Sequence, residues 1–337
     1  MRTKLLTTAL FYFAATNIIL AQDEEFKPKG NVYGKVFFNY NMEFAEDEVL
    51  STFELQRAYL GYKYDFSREL SSKVLLDVGK PDITVEDTLK GTTNFQMTAF
   101  LKEGSLTYKK GNLTIDGGLI GLLQHKVAEA IWGHRYVYKT FQDVAGMLHT
   151  ADLGIQAQYK VADMLTLDYV IRNGEGFRNI KNVDNSFRSG GGFTLTPIEG
   201  LVFRGYYDFE AKPLMQTSIH HVMGYTNELF SAGGEFSMQL NNKYKESHTL
   251  LGYSVFASVN LSKQLQVFGR YDNLSSNKLE GETENWNHGK DNSIIIAGVQ
   301  FAPVKKINIA LDYQGTMPAD DSNDTRNLVY LHFEYSF

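Results

Sequence analysis

Cysteine is absent from the 337-residue chain, and proline is scarce at 6 residues. The lack of cysteine excludes disulfides, thiolate catalysis, cysteine metal sites and lipid attachment at a cysteine. It is also compatible with passage through an oxidising periplasm. Because proline is scarce, tight turns must rest mainly on Asn, Asp and the 29 glycines.

Long apolar runs are also missing, with one exception at the N-terminus. Arg2 and Lys4 precede an apolar stretch over residues 5–20, and an acidic run follows at residues 23–25. This arrangement predicts a signal peptide over residues 1–21 that is cleaved at its end. An uncleaved membrane anchor is the alternative, and the acidic run that follows directly argues against it.

The expected mature chain, residues 22–337, has no second apolar stretch near the ~20 residues that a membrane-spanning helix needs. A mature chain that remained in a membrane would therefore have to cross it with β-strands. The full chain carries a formal charge of −6 without a basic stripe, which argues against nucleic-acid binding. Aromatic residues reach 13%, mostly 23 Phe and 20 Tyr, which suits strands and the interface belts of membrane proteins.

Apolar and polar side chains alternate through much of the chain, most clearly at residues 327–337. Side chains alternate across a strand, so one face suits lipid and the other suits water. One face of this segment carries Val329, Leu331, Phe333, Tyr335 and Phe337, and the other carries Leu328, Tyr330, His332, Glu334 and Ser336.

Segments of about ten alternating residues, separated by turns, are typical of a transmembrane barrel. Residues 96–109 and 217–225 fit this pattern poorly and indicate bulges or different boundaries. The chain contains about sixteen such segments, at residues 31–40, 52–64, 70–80, 96–109, 112–121, 151–161, 164–173, 189–196, 200–211, 217–225, 229–240, 248–260, 264–273, 292–302, 305–315 and 327–337.

Short turns alternate with long loops between these segments, as in bacterial outer-membrane barrels. We therefore predict an all-β fold, a transmembrane antiparallel β-barrel of about 16 strands that occupies residues 22–337. An even strand number places both termini on the periplasmic side. A soluble β-sandwich would also alternate, but it would usually have fewer and shorter strands and would lack this loop asymmetry.

Arg57–Lys63 followed by Leu70–Gly79, and the segment Trp132–Asp143, resemble stretches of the phosphate-selective porin O and P family of Gram-negative outer-membrane porins. The terminal Phe337 resembles the insertion signal that the outer-membrane barrel insertion machinery reads. The resemblance implies an outer-membrane location and a sixteen-stranded barrel that is often trimeric. It also implies that the third external loop folds inward and narrows the pore.

The third long loop, residues 122–150, is the longest connection in the chain, as an inward loop would be. Residues 127–132 within it predict a short helix, and its apolar and aromatic content argues against a disordered loop. The predicted constriction residues are Lys126, Arg135, Lys139, Glu129 and Asp143. The two carboxylates could pair with the three cations and cancel their field.

Side chains on the inward faces of the strands would line the pore. Acidic and basic residues nearly balance over these faces, with a slight acidic excess. Because anion selection needs a lining dominated by Arg and Lys, phosphate selectivity does not follow from this lining. The predicted lining residues are Arg57, Lys63, Lys73, Asp77, Arg172, Arg204, Asp208 and Arg270.

These features predict a porin through which small polar solutes or ions, anions such as phosphate among them, diffuse passively. The alternative is an outer-membrane barrel with an enzymatic or structural anchoring role. No segment resembles a nucleophile elbow, and Ser189–Gly192 lacks the Gly-Lys-Ser/Thr tail of a phosphate loop. We therefore predict that the chain is not an enzyme and needs no cofactor.

Metal binding finds little support in the sequence. His220 and His221 would point to opposite faces of a strand, so they cannot hold one metal together. Asp320, Asp321 and Asp324 could bind a cation that bridges lipopolysaccharide, but a solvated acidic loop is the favoured interpretation. The expected partners are outer-membrane lipid, lipopolysaccharide, the insertion machinery, and small solutes or ions.

Overall fold

A computed structural model describes residues 26–45, 48–79, 97–179 and 184–337, and the predicted signal peptide lies outside them. The described residues form sixteen strands: β1 Lys29–Phe44, β2 Val49–Asp65, β3 Leu70–Gly79, β4 Thr98–Lys110, β5 Leu113–Gly121, β6 Ala151–Ala162, β7 Leu165–Arg172, β8 Arg188–Leu195, β9 Leu201–Lys212, β10 Leu214–Thr226, β11 Phe230–Leu240, β12 Leu250–Asn260, β13 Leu265–Ser276, β14 Asn292–Phe301, β15 Ile307–Pro318 and β16 Arg326–Ser336.

Short helices lie in the connections. Helix α1 (Leu123–Trp132) and helix α2 (Phe141–Val144) follow β5, and 3-10 turns lie at Asn242–Tyr244 and His288–Lys290. Among the described residues, no helix is both long and apolar enough to cross a membrane.

The strand ladder closes on itself. Each strand pairs antiparallel with its neighbours in sequence, and β1 also pairs with β16. The closing register runs from Lys35 opposite Ser336 to Phe44 opposite Asn327. A closed ladder leaves no open edge, so its backbone groups can be paired without water. The prediction of a sixteen-stranded antiparallel barrel is confirmed.

The wall is apolar outside and polar inside, the reverse of a soluble protein. On β7, Leu167, Tyr169 and Ile171 are 45–52% exposed, whereas Asp168 and Arg172 are buried. Strand β15 follows the same alternation. A soluble β-sandwich would bury its apolar face, so this distribution excludes that alternative.

Residues 96–109, the first stretch with a weak pattern, contain a β-bulge. Leu75 of β3 pairs with Glu103 and Leu76 pairs with Leu101, which leaves Lys102 as the extra residue of β4. One extra residue shifts the alternation of a strand. Lys102 and Glu103 are therefore adjacent in sequence yet both carry their side chains inward.

Residues 217–225, the second such stretch, belong to a regular strand with a longer span. Strand β10 pairs in continuous register with β9 and β11. The pattern is weak because Val222 points inward and is buried, where a water-filled barrel carries polar residues. On the same face, a Cβ at Gly224 would lie 2.3 Å from Ile131 Cγ2 of helix α1. Protein, and not water, covers this part of the wall.

Several strands extend beyond their predicted ends. The first hairpin, predicted at residues 31–40 and 52–64, spans Lys29–Phe44 and Val49–Asp65. Alternation ends where both faces of a strand meet water, but backbone pairing continues because it does not depend on side-chain polarity.

The seam between β1 and β16 depends on close packing at a glycine. Gly34 and Phe337 exchange backbone hydrogen bonds of 3.1 and 3.3 Å. The ring of Phe337 lies over Gly34, where a Cβ would be 2.2 Å from Phe337 Cζ.

We expect Gly34→Val to destabilise the refolded barrel by about 1–3 kcal/mol, the usual cost of overpacking. The measurement is the guanidinium midpoint of unfolding in detergent.

Gly117→Val is the matched control, because a Cβ at Gly117 meets nothing within 4 Å. Adding Phe337→Ala to Gly34→Val should recover part of the lost stability, since it removes the clashing ring. Equal midpoints for the Gly34 and Gly117 variants would contradict the role given to this contact.

Candidate pore constriction

The segment 122–150 is attached to the inward face of the wall over much of its circumference. Its hydrogen bonds reach five strands: Leu123 N–H to Gln156 of β6 at 3.2 Å, Gln124 with Arg204 of β9 at 2.8 Å, Phe141 N–H to Glu235 of β11 at 3.2 Å, His134 with Gln266 of β13 at 2.7 Å, and Tyr136 to Gln300 of β14 at 2.7 Å. The segment is therefore held by many polar contacts that its own sequence does not reveal.

An apolar cluster also holds this segment. Trp132 packs with its ring centroid 5.1 Å from that of Phe256 on β12. The Arg270 guanidinium lies 4.8 Å from the Trp132 ring centroid, a cation–π distance. The buried cluster consists of Phe37, Trp132, Tyr136, Val137, Phe256, Phe268, Ile294, Ile296 and Ala310. Apolar packing of this kind gives the segment a single folded conformation.

Helix α1 forms from good helix formers and ends at a glycine. Its residues include Leu, Gln, Lys, Ala and Glu, which favour a helix, and it begins four residues before the predicted start at residue 127. Gly133 ends the helix with φ of +74°, and its N–H donates to Glu129 O at 3.0 Å. Glycine adopts this left-handed conformation without steric cost.

The three predicted constriction cations each lie near a carboxylate. The nitrogen–oxygen distances are 3.8 Å for Lys126 with Glu103, 3.8 Å for Arg135 with Glu129, and 3.7 Å for Lys139 with Asp143. These are loose pairs, longer than a charge-assisted hydrogen bond. They weaken the field of the cations without placing them in tight bidentate contacts.

Glu129 is held in its charged form. Burial acts to raise the pKa of Glu129, but the hydrogen bond with His125 at 3.0 Å and the charges of His125, Arg135 and Lys102 outweigh it, and the pKa is lowered to about 2. Glu129 therefore stays negative at neutral pH and offsets part of the charge of Arg135.

Two cavities lie side by side along the β1–β4 part of the wall. The narrow cavity, of about 240 Å³, is lined by residues of β2, β3 and β4, of the segment 122–150 and of residues 175–179. The wide cavity, of about 660 Å³, extends from it toward β1 and the chain end at Phe337. Both are lined by Tyr59, Lys102, Arg135 and Thr150.

Cations outnumber carboxylates in the narrow cavity. Its lining includes Arg57, Lys102, Arg135, Lys139 and Arg178 against Asp77, Asp143 and Glu175. Sequence reasoning missed Lys102 and Arg178. The weak alternation at residues 96–109 pointed to the bulge that turns Lys102 inward, whereas no sequence signal indicated that Arg178 would reach this wall.

A network of buried ion pairs occupies another part of the wall, on β6–β9. Arg172 lies 2.6 Å from Asp208 and 3.3 Å from Asp152, and Arg188 lies 2.7 Å from Asp208. Short, direct contacts of this kind are needed to offset the loss of hydration when charges are buried. Asp208 neutralises charge on two arginines at once.

Arg204 and Arg270 have a similar arrangement. Arg204 donates two hydrogen bonds to Asp168, at 2.7 and 3.0 Å, and Arg270 donates two to Asp272, both at 2.7 Å. Both arginines also bond to the segment 122–150. The predicted lining residues Arg172, Arg204, Asp208 and Arg270 thus face inward, but they are only 0–4% exposed and are paired within the wall.

The other predicted lining residues lie on β2 and β3, where the cavities are. The Arg57–Asp77 and Lys73–Glu103 pairs contribute to the narrow and wide cavities, and Lys63 is half exposed near a short turn. The distances are 3.5 Å for Arg57 with Asp77, 3.0 Å for Lys73 with Glu103, and 2.9 Å for Lys63 with Asp65. The cations Arg57 and Lys73 near the cavities are therefore more exposed than Arg172 on β7, whereas the carboxylate of Asp77 is buried.

A closed wall of sixteen antiparallel strands, apolar outside and charged inside, defines the class of this protein as a membrane-type β-barrel. No family model matches the chain, and no curated protein matches its sequence. The resemblance to the phosphate-selective porin O and P family therefore stays a prediction.

Several solved structures have a similar fold. The outer-membrane channel DcaP of Acinetobacter baumannii aligns with a TM-score of 0.68 at 11% identity, over 94% of this chain and 99% of that one. OmpF of Salmonella typhi, in complex with daunomycin, gives 0.66 at 14%, over 92% and 98%. An anion-selective porin from Comamonas acidovorans gives 0.64 at 11%, over 92% and 100%. At these identities the likeness establishes the shared barrel fold.

The buried ion pairs lead to a stability prediction. We expect Asp208→Asn to destabilise the refolded barrel by about 3–5 kcal/mol, because it removes the shared counter-charge of two buried arginines. The measurement is the guanidinium midpoint in detergent. Asp163→Asn is the control, since Asp163 is fully exposed and pairs only with Lys160. If the two variants unfold at the same midpoint, the network does not stabilise the wall.

Proposed function

We propose that this protein is an outer-membrane porin, a water-filled channel through which small polar solutes or ions diffuse passively. One observation carries the proposal. The narrow and wide cavities have Tyr59, Lys102, Arg135 and Thr150 in common, so they adjoin and give the proposed passage a course between the segment 122–150 and the β1–β4 wall. A sixteen-stranded barrel is wide enough to hold such a passage.

The segment 122–150 is the constriction in this proposal. Its hydrogen bonds reach β6, β9, β11, β13 and β14. One segment can reach strands so far apart around a closed wall only across the enclosed space. Helix α1 packs on β9, β10 and β11, and the proposed passage follows the two cavities between the segment and β2–β4. A further cavity of about 600 Å³ lies between the segment and β7–β14.

Anions are the favoured solutes. The narrow cavity has five Lys or Arg side chains against three carboxylates. One of these carboxylates, Glu175, pairs at 2.9 Å with Lys212, which lies outside the cavity. Charges act strongly at a constriction with low-dielectric walls, so this local excess outweighs a mixed lining elsewhere. The similar fold of an anion-selective porin supports the same direction.

An enzymatic or anchoring barrel is the second candidate, and a conductance measurement separates the two. A porin reconstituted in a planar bilayer should give stepwise, ohmic current increments. An anchoring barrel with a blocked interior should give none. We favour the channel because the two cavities adjoin.

The remaining partners follow from this function. The apolar exterior fits outer-membrane lipid of a Gram-negative bacterium, with lipopolysaccharide around the long loops. A homotrimer is consistent with the similar fold of OmpT of Vibrio cholerae, one solved form of which is a trimer. The signal peptide at residues 1–21 and the insertion signal at Phe337 belong to the same proposal.

Phe337 gives the proposal a test in cells. Phe337→Asp should reduce the amount of protein assembled in the outer membrane while export across the inner membrane continues. The measurement is the fraction of folded barrel in outer-membrane preparations. Phe301→Asp is the matched control, because Phe301 is the last residue of β14 and has a similar exposure, 44% against 56% for Phe337. Equal loss for both variants would indicate a general cost of charge on the lipid face and no special signal.

The constriction residues give a test of selectivity. Converting Lys126, Arg135 and Lys139 together to Gln should shift the reversal potential toward cations in asymmetric salt. The shift should be larger at low salt, because screening weakens the effect of charges at higher ionic strength. The measurement is the zero-current potential of the reconstituted protein.

The control converts Lys109, Lys110 and Lys160 to Gln. These are exposed lysines near the short turns, and two of them also have a carboxylate partner. Their loss should change the reversal potential less. If the control shifts it as much as the constriction variant does, selectivity does not arise at the segment 122–150.

A further inference from the structure

Aromatic rings frame the cations of the narrow cavity. Lys102 Nζ lies 4.7 Å from the ring centroid of Tyr59 and 5.6 Å from that of Phe177. The guanidinium of Arg178 lies 4.8 Å from the ring centroid of Phe100, and the rings of Phe100 and Phe177 meet edge to face at 6.4 Å. Two cations and three aromatic rings therefore form one contiguous cluster.

A second connection contributes to this cluster. Residues 174–179 follow β7, and Glu175 among them pairs at 2.9 Å with Lys212 of β9. The N–H of Gly174 donates to Asp152 of β6 at 2.9 Å. These contacts hold the start of the connection near β6–β9, while Phe177 and Arg178 contact β4. Residues 175–179 thus line the narrow cavity, and Phe177 supplies an aromatic ring to it.

Lys102 is held in place from the wall. Its Nζ donates to Tyr59 Oη at 3.2 Å and lies 3.8 Å from Asp77. The β-bulge makes this position possible, because the regular alternation of β4 could not turn both Lys102 and Glu103 inward. The wall therefore supplies a fixed cation to the cavity that Arg135 and Lys139 of the segment 122–150 also line.

The cavity also contains buried polar atoms that form no hydrogen bond. Among the described residues, Thr150 Oγ1 is buried without a hydrogen-bond partner, and Arg57 Nη1 forms no hydrogen bond but lies in a loose ion pair, 3.5 Å from Asp77 Oδ1. Both residues line the narrow cavity. Buried polar atoms are normally satisfied by protein or by a bound molecule. Arg57 Nη1 is a donor and the Thr150 hydroxyl can act as one, so they suit a bound acceptor such as an oxyanion.

We infer that the narrow cavity is a binding site for a small planar organic carboxylate. This inference rests on the proposed function and names the solute class of the same site. The carboxylate accepts hydrogen bonds from Arg57 and Thr150 in the field of Lys102 and Arg135, since arginine matches the planar geometry of a carboxylate. The planar body of the solute packs against the edge of the Phe177 ring, because aromatic pairs favour edge-to-face contact.

The volume of the narrow cavity and the charges of its lining both suit a monoanion with a single ring. The cavity of about 240 Å³ equals the share of about eight liquid waters, enough for one ring and its carboxylate. Inorganic phosphate would use the cations but would gain nothing from the rings. The three carboxylates of the lining disfavour anions of higher charge.

The test uses 4-fluorobenzoate and the full barrel refolded in detergent, with binding followed by fluorine NMR line broadening. We expect Lys102→Met, which keeps the apolar stem, to raise the dissociation constant about tenfold. Lys160→Met removes the same charge at an exposed site beside a turn, so it should leave the constant unchanged. Phe177→Leu should weaken binding several-fold without a shift in the reversal potential, because it alters the ring and no charge.

Competition decides the solute class. Unlabelled benzoate should displace the probe at concentrations well below those needed for inorganic phosphate. Displacement by phosphate at equal or lower concentration would overturn the inference, and so would equal binding by the Lys102 and Lys160 variants. Binding in detergent does not require conduction. Failure of the protein to conduct would therefore count against the proposed channel, while the binding result would still decide the site.

Discussion

Closure of the ladder between β1 and β16 is the constraint on which the rest of the barrel depends. Backbone N–H and C=O groups in a bilayer have no water to bond with, so each strand needs two neighbours. The first and last strands therefore pair across the full length of the chain, and the Gly34–Phe337 contact lies at one end of that pairing. Once the wall is closed, side-chain alternation assigns one face to lipid and the other to the interior.

The closed wall encloses two unlike halves. On β6–β9, carboxylates and arginines neutralise each other and also hold the segment 122–150. On β2–β4, two adjoining cavities lie between the wall and the segment. Charge on the inward faces therefore has two different uses, stability on one side and contact with solutes on the other. A sum over all inward charges does not describe the solute path.

A single inserted residue has a large effect on that path. The bulge at Lys102 places two consecutive charged side chains inside the barrel. Glu103 then pairs with Lys73, while Lys102 stands beside Tyr59 and Asp77 in the narrow cavity. Without the bulge, one of the two would face lipid, where a charge is costly. The irregularity of β4 is thus a requirement of the charged lining.

The sequence by itself determined the strand number, the two faces of the wall and the extent of the long segment between β5 and β6. These follow from a period of two and from turn spacing, which are local properties that lipid and water impose residue by residue. The tertiary structure alone decided which charges meet. Arg172 and Asp208 are 36 residues apart in the chain, and Arg178 reaches Phe100 of β4 from the connection that follows β7. Such contacts depend on strand register and on loops that cross the interior, and neither is encoded in the pattern of any one strand.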